Sequence, residues 1–218
     1  MKTPLNHKMP AELFNSQFTS PDSIAIIGGG ISSLYLAHHI LQQSPNCKVR
    51  VFCMDEKLAT RGSGNKQGAV YPLLQGSKSV IAELFAESYL YAIEYYSSLT
   101  EQGITFEHQW CGVLQQAFTP ELESRLSKIN KVWPEVCQYL DAKTSSQIAN
   151  IELPYPSLYF PRGGWLFPQD LCQNLSYYLE QHYDFEVKYK TDVEELVPPS
   201  SDLHWQLKIK HTKENDIT

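Results

Sequence analysis

The sequence predicts an α/β protein that begins with a parallel β-sheet unit. Three observations carry this prediction: the apolar, β-branched segment Ser23–Ile27, the glycine triplet after it, and helical spacing over Ile31–Gln43 before a second predicted strand at 48–53. A strand, tight turn, helix and strand within about 30 residues form a βαβ unit, which joins two parallel strands. Because the first segment is almost wholly apolar, we expect that strand to be buried on both faces.

Helical and extended patterns alternate along the rest of the chain. Residues 1–22 contain three prolines and no sustained period, so they are predicted to be a leader or linker. Helices are predicted at 79–101, from Thr119-Pro120 to about residue 140 with an interruption near Pro134, and at 168–182. Extended structure is predicted at 104–116, 158–160, 186–189 and 205–209.

Composition and charge exclude several classes of protein. The 218 residues include 18 Lys and Arg against 24 Asp and Glu, so a chain of formal charge −6 is not expected to hold nucleic acid by charge alone. No apolar run approaches the roughly 20 residues that span a bilayer, and the N-terminus lacks the apolar core of a secretory signal. The five cysteines form no C-x-x-C pair, which argues against structural zinc. We therefore expect a cytoplasmic protein without a metal or a membrane segment.

The glycine triplet between the first strand and the first helix predicts a dinucleotide site. In the G-x-G-x-x-G pattern, Gly28 permits the tight turn, Gly30 lets the backbone approach a pyrophosphate, and a small residue, here Ser33, permits close packing. Amides at the helix start then point at the anion. The alternative is a glycine-rich turn that only lets a helix pack closely on a sheet.

An acidic residue is expected about 20 residues further on, where it would bind the adenosine ribose. Cys53 lies at that distance, and Asp55 and Glu56 follow it. Either Asp55 makes the ribose contact or backbone groups near Cys53 do. The alternative for both acids is a solvated turn.

The polar, glycine-rich segment 55–68 is too long for an ordinary connection, which is typical of a functional loop. Within it, Ser63, Asn65 and Gln67 supply neutral hydrogen-bonding groups, and the glycines permit close approach of the backbone. Such a loop suits a flat heteroaromatic ring and a diphosphate better than it suits a metal. A mobile surface loop is the alternative.

Four segments, in this order, resemble a known family: IAIIGGGI at 24–31, SGNKQGAVYPLL at 63–74, WCGV at 110–113 and YFPRGGWL at 159–166. The family is the FAD-dependent oxidoreductase module of bifunctional bacterial tRNA 5-methylaminomethyl-2-thiouridine biosynthesis proteins, within the D-amino-acid-oxidase-like flavoprotein superfamily. The resemblance covers about residues 20 to 210. The S-G-N-(K/R)-Q-G-A block is specific to the family, whereas the glycine triplet is not.

This resemblance implies a reaction, a cofactor and a substrate. The family oxidises the C–N bond of a carboxymethylaminomethyl group on a tRNA wobble uridine, leaving an aminomethyl group and releasing glyoxylate. FAD is the implied cofactor, and no side chain is assigned as a general base. Two alternatives stay open: a small-molecule amine oxidase of the glycine- or sarcosine-oxidase type, and a noncatalytic Rossmann-like remnant.

The resemblance also implies a fold and a set of cofactor contacts. A Rossmann-like FAD-binding domain over 23–78 and 166–218 is expected to carry part of an inserted α+β substrate domain at 79–165. Gly28, Gly30 and Ser33 would lie at the pyrophosphate, Asp55 near the ribose and Val193 against the adenine through its backbone. The residues along the diphosphate and flavin would be Ser63, Gly64, Asn65, Gln67 and Gly68.

The chain departs from the family pattern in three respects. Arg61 replaces a small residue, the methyltransferase module normally fused on the N-terminal side is not seen, and the superfamily's C-terminal flavin segment does not follow. We therefore expect an incomplete module, truncated at its C-terminus, that does not turn over modified tRNA by itself.

Overall fold

A computed structural model of the protein describes residues 21–199 and 205–211. In chain order, its elements are β1 (Ser23–Ile27), α1 (Ile31–Gln43), β2 (Lys48–Phe52), β3 (Gly68–Val70), α2 (Val80–Glu101), β4 (His108–Gln109), β5 (Val113–Gln116), α3 (Pro120–Val132), β6 (Gln138–Leu140), α4 (Ala142–Ala149), β7 (Ser157–Phe160), β8 (Gly164–Leu166), α5 (Pro168–His182), β9 (Phe185–Lys188), β10 (Thr191–Val197) and β11 (Gln206–His211). The predicted α/β class is confirmed. The leader predicted at 1–22 lies, as far as residue 20, outside the described residues.

Two compact units make up the described chain. The first contains the residues up to Leu58 and those from Ser176 onward, and the second contains Ala59–Leu175. The sequence predicts domain boundaries after residues 78 and 165, whereas the units of the structure divide after Leu58 and before Ser176. Residues 59–78 group with the second unit because β3 pairs with β8 and the Gln75 carbonyl oxygen accepts a hydrogen bond from Trp133 Nε1 over 2.9 Å.

The first unit is built on a parallel sheet in the order β1-β2-β9. β1 and β2 pair from Ser23↔Lys48 to Ile27↔Phe52, so the predicted βαβ unit is confirmed. α1 begins and ends where its apolar spacing predicts, and its buried residues are Leu34, Ala37, His38 and Leu41. His38 contacts Tyr178 of α5 edge to face, with ring centroids 6.1 Å apart, so this histidine serves helix packing.

The expectation that β1 is buried on both faces is wrong. Ile26 is buried, but Ala25 is exposed and Ile27 is 50% exposed. The side chains of Ser23, Ala25 and Ile27 lie on one face of the strand, and that face stays accessible in the described part of the chain. Alternate side chains of a strand stay accessible when only one sheet face is covered.

β10 and β11 form an antiparallel hairpin in the same unit, and β10 is a strand that the sequence patterns did not predict. The register shifts between Val193 and Glu195, which identifies a β-bulge. Val193 pairs with Ile209, and Leu196 pairs with Leu207. Since residues 207 and 209 lie on one face of β11, the bulge brings Val193 and Leu196 to that same apolar face.

The second unit contains two antiparallel sheets, β3-β8-β4 and β5-β7-β6, together with α2, α3 and α4. Its core includes Ala86 and Tyr89 of α2, Leu126 of α3, and Leu158 and Phe160 of β7. This is the α+β arrangement that the resemblance implies for an inserted domain.

Local signals fix the ends of the helices in the second unit. Ser79 and Thr119 cap α2 and α3 by accepting hydrogen bonds from the third residue beyond, each over 3.2 Å. The helical pattern predicted to reach about residue 140 ends at Val132 instead. Pro134 supplies no backbone N–H and disfavours a helical conformation at Trp133. The chain then forms β6 and α4, neither of which was predicted.

Candidate functional site

The three glycines connect the end of β1 to the start of α1. Gly28 has a φ of +118°, which L side chains rarely adopt, and its N–H donates to the Phe52 carbonyl oxygen over 2.9 Å. A Cβ at this position would lie 3.3 Å from the Ser33 Oγ. The turn is therefore bound to β2, is packed against α1 and requires glycine at position 28.

α1 begins without a side-chain cap and without an acidic residue in its first turn. Gly30 is the N-cap, and its carbonyl oxygen accepts hydrogen bonds from Ser33 N and Leu34 N over 3.1 and 3.4 Å. The amides at a helix start carry a partial positive charge and bind anions. Since no carboxylate of the first turn competes there, this end of α1 suits a phosphate group. The structure thus brings Gly28, Gly30 and Ser33 together.

Gly29 is a structural requirement that the sequence pattern did not single out. A Cβ on Gly29 would overlap the Sγ of Cys53 and lie 3.1 Å from the Cys53 Cβ. Cys53 is 1% exposed and immediately follows β2, so its side chain fills the space under the turn. Although Gly29 is the variable position of the G-x-G pattern, here it must be glycine because of its neighbour.

The segment that follows β2 is hydrogen-bonded to the connection between β9 and β10. Cys53 N–H donates to the Lys188 carbonyl oxygen over 2.9 Å, and Thr191 N–H donates to the Cys53 carbonyl oxygen over 3.0 Å. Lys190 N–H donates to the Asp55 carbonyl oxygen over 3.1 Å. Both backbone groups of Cys53 are thus engaged within the protein, which weakens the alternative that they bind a ribose.

The two acids of this segment differ in their surroundings. The Glu56 carboxylate pairs with Lys190 Nζ over 2.7 Å, and this hydrogen bond and charge hold the pKa of Glu56 below its ordinary value. Asp55 is half-buried one residue earlier. The ribose contact of Asp55 stays a prediction.

Val193 lies on β10, two residues beyond the Thr191 amide that bonds to Cys53. It is half-buried and belongs to the same unit as the glycine turn. The β-bulge that follows Val193 interrupts the regular pairing of β10 with β11. Its backbone contact with adenine remains a prediction.

The predicted loop residues 63–68 belong to the second unit. Gly64 N–H donates to the Arg61 carbonyl oxygen over 2.8 Å, and a Cβ on Gly64 would lie within 3.0 Å of three carbonyl oxygens, those of residues 59–61. Gly68 begins β3, where a Cβ would lie 3.0 Å from Pro168 Cγ. These two glycines therefore have packing reasons of their own, in addition to any ligand contact.

The polar members of the loop are accessible. Ser63 is half-buried, and Asn65 and Gln67 are exposed. Gly62, which was not among the predicted contacts, borders open space, since a Cβ there would meet nothing within 4 Å. Ala59 enters the loop with a φ of +56°, a strained conformation for a residue other than glycine and common near functional sites.

The described residues support neither a metal site nor a phosphate site at the C-terminal end of α1. Among residues 21–199 and 205–211, no group of three or more His, Cys, Asp or Glu side chains could hold a metal ion. An open surface depression lies at the opposite end of α1, lined by Asp22, Ser44 and Asn46 among others. The C-terminus of a helix carries partial negative charge, so that depression disfavours phosphate.

A family model of FAD-dependent oxidoreductases matches residues 23–217. The chain belongs to this family. FAD is therefore the cofactor of its family, and the glycine turn with the uncapped, acid-free start of α1 fits the pyrophosphate of such a dinucleotide.

Curated relatives of high similarity are bacterial. The chain is 35% identical over 210 residues to the "tRNA 5-methylaminomethyl-2-thiouridine biosynthesis bifunctional protein MnmC" of Vibrio vulnificus strain YJ016, a match that covers 95% of this chain and 31% of the relative. It is 36% identical over 187 residues to the protein of that name from Vibrio cholerae, covering 85% of this chain and 27% of the relative. The chain thus spans about a third of the length of these relatives.

Solved structures share the fold at lower identity. Glycine oxidase from Geobacillus kaustophilus superposes with a TM-score of 0.64 at 18% identity, over 86% of this chain and 51% of that one. The FAD-bound L-α-glycerophosphate oxidase from Mycoplasma pneumoniae gives a TM-score of 0.65 at 19% identity, over 90% and 50%. The Rossmann-like class with an inserted α+β part is confirmed by these likenesses.

Proposed function

We propose that this chain carries the FAD-binding part of an oxidoreductase of tRNA wobble-uridine modification. The reaction removes the carboxymethyl group from 5-carboxymethylaminomethyl-(2-thio)uridine, gives the 5-aminomethyl form and releases glyoxylate. The observation that carries the proposal is the 35% identity to a tRNA-modifying relative over 95% of the chain, which includes the block from Ser63 to Leu74. None of the described helices combines the length and apolarity needed to cross a bilayer.

In this proposal the first unit binds the nucleotide. Gly28 and Gly30 leave room for the pyrophosphate, and Ser33 lies in the first turn of α1, whose amides face it. Asp55 binds the ribose, and the Val193 backbone contacts the adenine. These roles use residues that one unit already holds in place through the bonds between β2 and the start of β10.

In the second unit the loop supplies neutral contacts. Ser63, Asn65 and Gln67 provide hydroxyl and amide groups for the diphosphate and flavin, while Gly64 and Gly68 keep the loop backbone in its tight path. When bound, FAD supplies the two-electron acceptor for oxidation of the C–N bond. We assign no general base, because positioning of the amine and exclusion of competing substrates are what this chemistry asks of the protein.

We also propose a substrate, a partner module and a cellular location. A tRNA is the substrate, a methyltransferase module like that of the bifunctional relatives acts on the same uridine, and the cytoplasm is where the protein works.

Binding of the cofactor is tested with the chain itself. Calorimetric titration with FAD and with NAD is expected to show tighter binding of FAD, because the loop from Ser63 to Gly68 offers contacts that a nicotinamide does not use. Tighter binding of NAD would contradict the proposal.

The reaction is tested in the longer Vibrio vulnificus relative, of which the chain spans about a third. Residues 23–211 of this chain replace the matching segment of the Vibrio vulnificus protein, and FAD content is measured first to verify folding. A chimera that binds FAD is expected to release glyoxylate from tRNA carrying the carboxymethylaminomethyl group. Glyoxylate from free glycine or sarcosine, with none from tRNA, would favour a small-molecule amine oxidase. FAD binding with neither activity would favour a noncatalytic remnant.

A further inference from the structure

Four exposed cations of the second unit form one basic face: Lys78 on the loop before α2, and Arg125, Lys128 and Lys131 on α3. The chain as a whole has a formal charge of −6, so this concentration of positive charge stands against the overall balance. The two segments that carry it are separated by about 50 positions in the sequence but are neighbours in the structure.

The α3 members lie along one side of the helix. Steps of three residues turn an α-helix by about 60°, so Arg125, Lys128 and Lys131 spread over about 120° and about 9 Å of helix length. The buried residues Leu126 and Ile129 lie on another side, packed into the core of the unit. The three cations are therefore presented to solvent by a helix that the core holds rigidly.

Contacts of the loop before α2 add Lys78 to the same face. A Cβ on Gly76 would lie 3.2 Å from the Lys128 Cβ, so the loop runs directly against α3. The Trp133 indole at the end of α3 donates to the Gln75 carbonyl oxygen over 2.9 Å. The Lys78 ammonium lies 5.5 Å from the centroid of the same indole ring, which favours its position by a cation–π interaction.

These four cations have no carboxylate partner among the described residues, unlike others on the protein. Arg50, Lys190 and Lys208 each lie within 2.7 Å of a carboxylate oxygen, and those charges are largely neutralised. Interaction with the helix dipole explains a basic residue in the last turn of α3, and Lys131 is the basic residue there. Arg125 and Lys128 lie earlier in α3, four and seven residues beyond Glu121 of its first turn.

We propose that this basic face binds the phosphate backbone of the tRNA substrate. The inference rests on the proposed function, which supplies an RNA partner, and it locates where on the chain that partner is held. Several unpaired Lys and Arg side chains on a rigid surface are the feature that phosphate binding requires, and they release counterions on contact. The face contributes affinity and orientation rather than recognition of the modified base.

The test measures tRNA affinity of the full 218-residue chain over a series of salt concentrations. The Lys128→Gln/Lys131→Gln variant keeps the Lys128 Cβ that lies beside Gly76 but removes two charges. We expect its affinity at about 50 mM salt to fall about tenfold, and the slope of log K against log salt to decrease by about 1.5.

A matched control separates this face from net charge. Lys143→Gln/Lys210→Gln removes the same two charges from exposed positions outside the face, and its affinity and salt slope are expected to match those of the unaltered chain. Circular dichroism and thermal melting verify that all three proteins fold. Equal losses in both variants, or no loss in the first, would overturn the proposal.

Competition identifies the partner. Unlabelled tRNA is expected to displace labelled tRNA more effectively than poly-glutamate does at equal charge. Poly-glutamate that competes equally well would assign the face to an acidic protein and overturn the proposal.

Failure of this proposal is distinct from failure of the proposed reaction. If the chimera releases glyoxylate from tRNA while the Gln variants bind tRNA normally, only the proposal about the basic face is refuted. If the Gln variants lose tRNA binding and the chimera releases no glyoxylate, only the proposed reaction is refuted.

Discussion

A methyl group on Gly29 would overlap the Sγ of Cys53, and its carbon would lie 3.1 Å from the Cys53 Cβ. The glycine turn and the residue after β2 are thus fitted to each other. This relationship links the sequence of the turn to the chemistry at the end of the second strand, and it can be tested directly.

Gly29→Ala is expected to destabilise the protein by about 1–3 kcal/mol, because the added methyl group overpacks a buried position. In the double variant Gly29→Ala/Cys53→Ala the sulfur is gone, so part of that loss should be recovered. Urea unfolding of the two single variants and the double variant gives the coupling free energy, expected to be about 1 kcal/mol. Additive effects of the two substitutions would contradict the packing relationship.

Gly30→Val is expected to abolish dinucleotide binding while the fold remains. The φ of −92° and ψ of 176° at Gly30 are extended values that valine adopts without strain, so the substitution adds bulk and leaves the backbone path unchanged. FAD affinity, measured by calorimetry, should fall by at least about tenfold, which corresponds to about 1.4 kcal/mol. Ala25→Val on the exposed side of β1 is the control and should leave affinity unchanged. An unaltered affinity in Gly30→Val would mean that the triplet serves packing alone.

Cys111 is expected to be the one thiol that reacts rapidly in the native protein. It is exposed, whereas Cys47, Cys53, Cys137 and Cys172 are buried. Burial also raises the pKa of the Cys137 and Cys172 thiols to about 12, which keeps them protonated and unreactive near neutral pH. Titration with a chromogenic disulfide should detect one fast thiol per native chain, none after Cys111→Ser, and five for the unaltered chain in denaturant. A second fast thiol would indicate that a buried cysteine is accessible.

Stability is expected to fall as the pH rises above 9. Burial raises the pKa of the Cys172 thiol from 9.0 to about 12, so the folded state resists an ionisation that the unfolded chain undergoes. The stabilisation from this group is complete below pH 9 and is lost as the pH rises towards 12, by up to about 1.4 kcal/mol per pH unit.

The measurement is the urea midpoint between pH 8 and pH 10.5, with Cys172→Ala and the exposed Cys111→Ala compared. The first substitution should flatten the pH dependence, whatever its effect at pH 8, and the second should not. Parallel curves for all three proteins would show that Cys172 is not responsible.

The βαβ start was predictable because its signals are local. Apolar runs, a glycine triplet and a helical period fixed β1, α1 and β2, and the Thr119-Pro120 pair fixed the start of α3. Two strands were not predicted from their own residues: β3 has only three residues and pairs with β8, which is distant in the sequence, and β10 is interrupted by a bulge in its pairing with β11. The pattern also could not show the exposure of Ile27, since burial of a strand face depends on what covers that face.

The same difference between local signals and contacts of distant residues applies to the candidate site. The roles proposed for Gly28 and Ser33 come from a motif, and in the structure Gly28 has a positive φ and packs beside the Ser33 Oγ. The need for glycine at position 29 arises from the Cys53 side chain, and the pairing of Glu56 with Lys190 joins residues more than 130 positions apart. No spacing rule within one segment could reveal either contact.

The position of β1 at the edge of its sheet sets a pattern of amide exchange along the strand. The Asp22 carbonyl oxygen and the Gly28 N–H bond to β2, so by the two-residue repeat of a strand Ile24 and Ile26 direct their backbone groups the same way. Ser23, Ala25 and Ile27 direct theirs away from β2, where the described chain has no strand to pair with them. In deuterated buffer their amide protons should be replaced much sooner than those of Ile24 and Ile26. Among the described residues, this row of unpaired backbone groups leaves room for a further extended strand to add to the sheet beside β1.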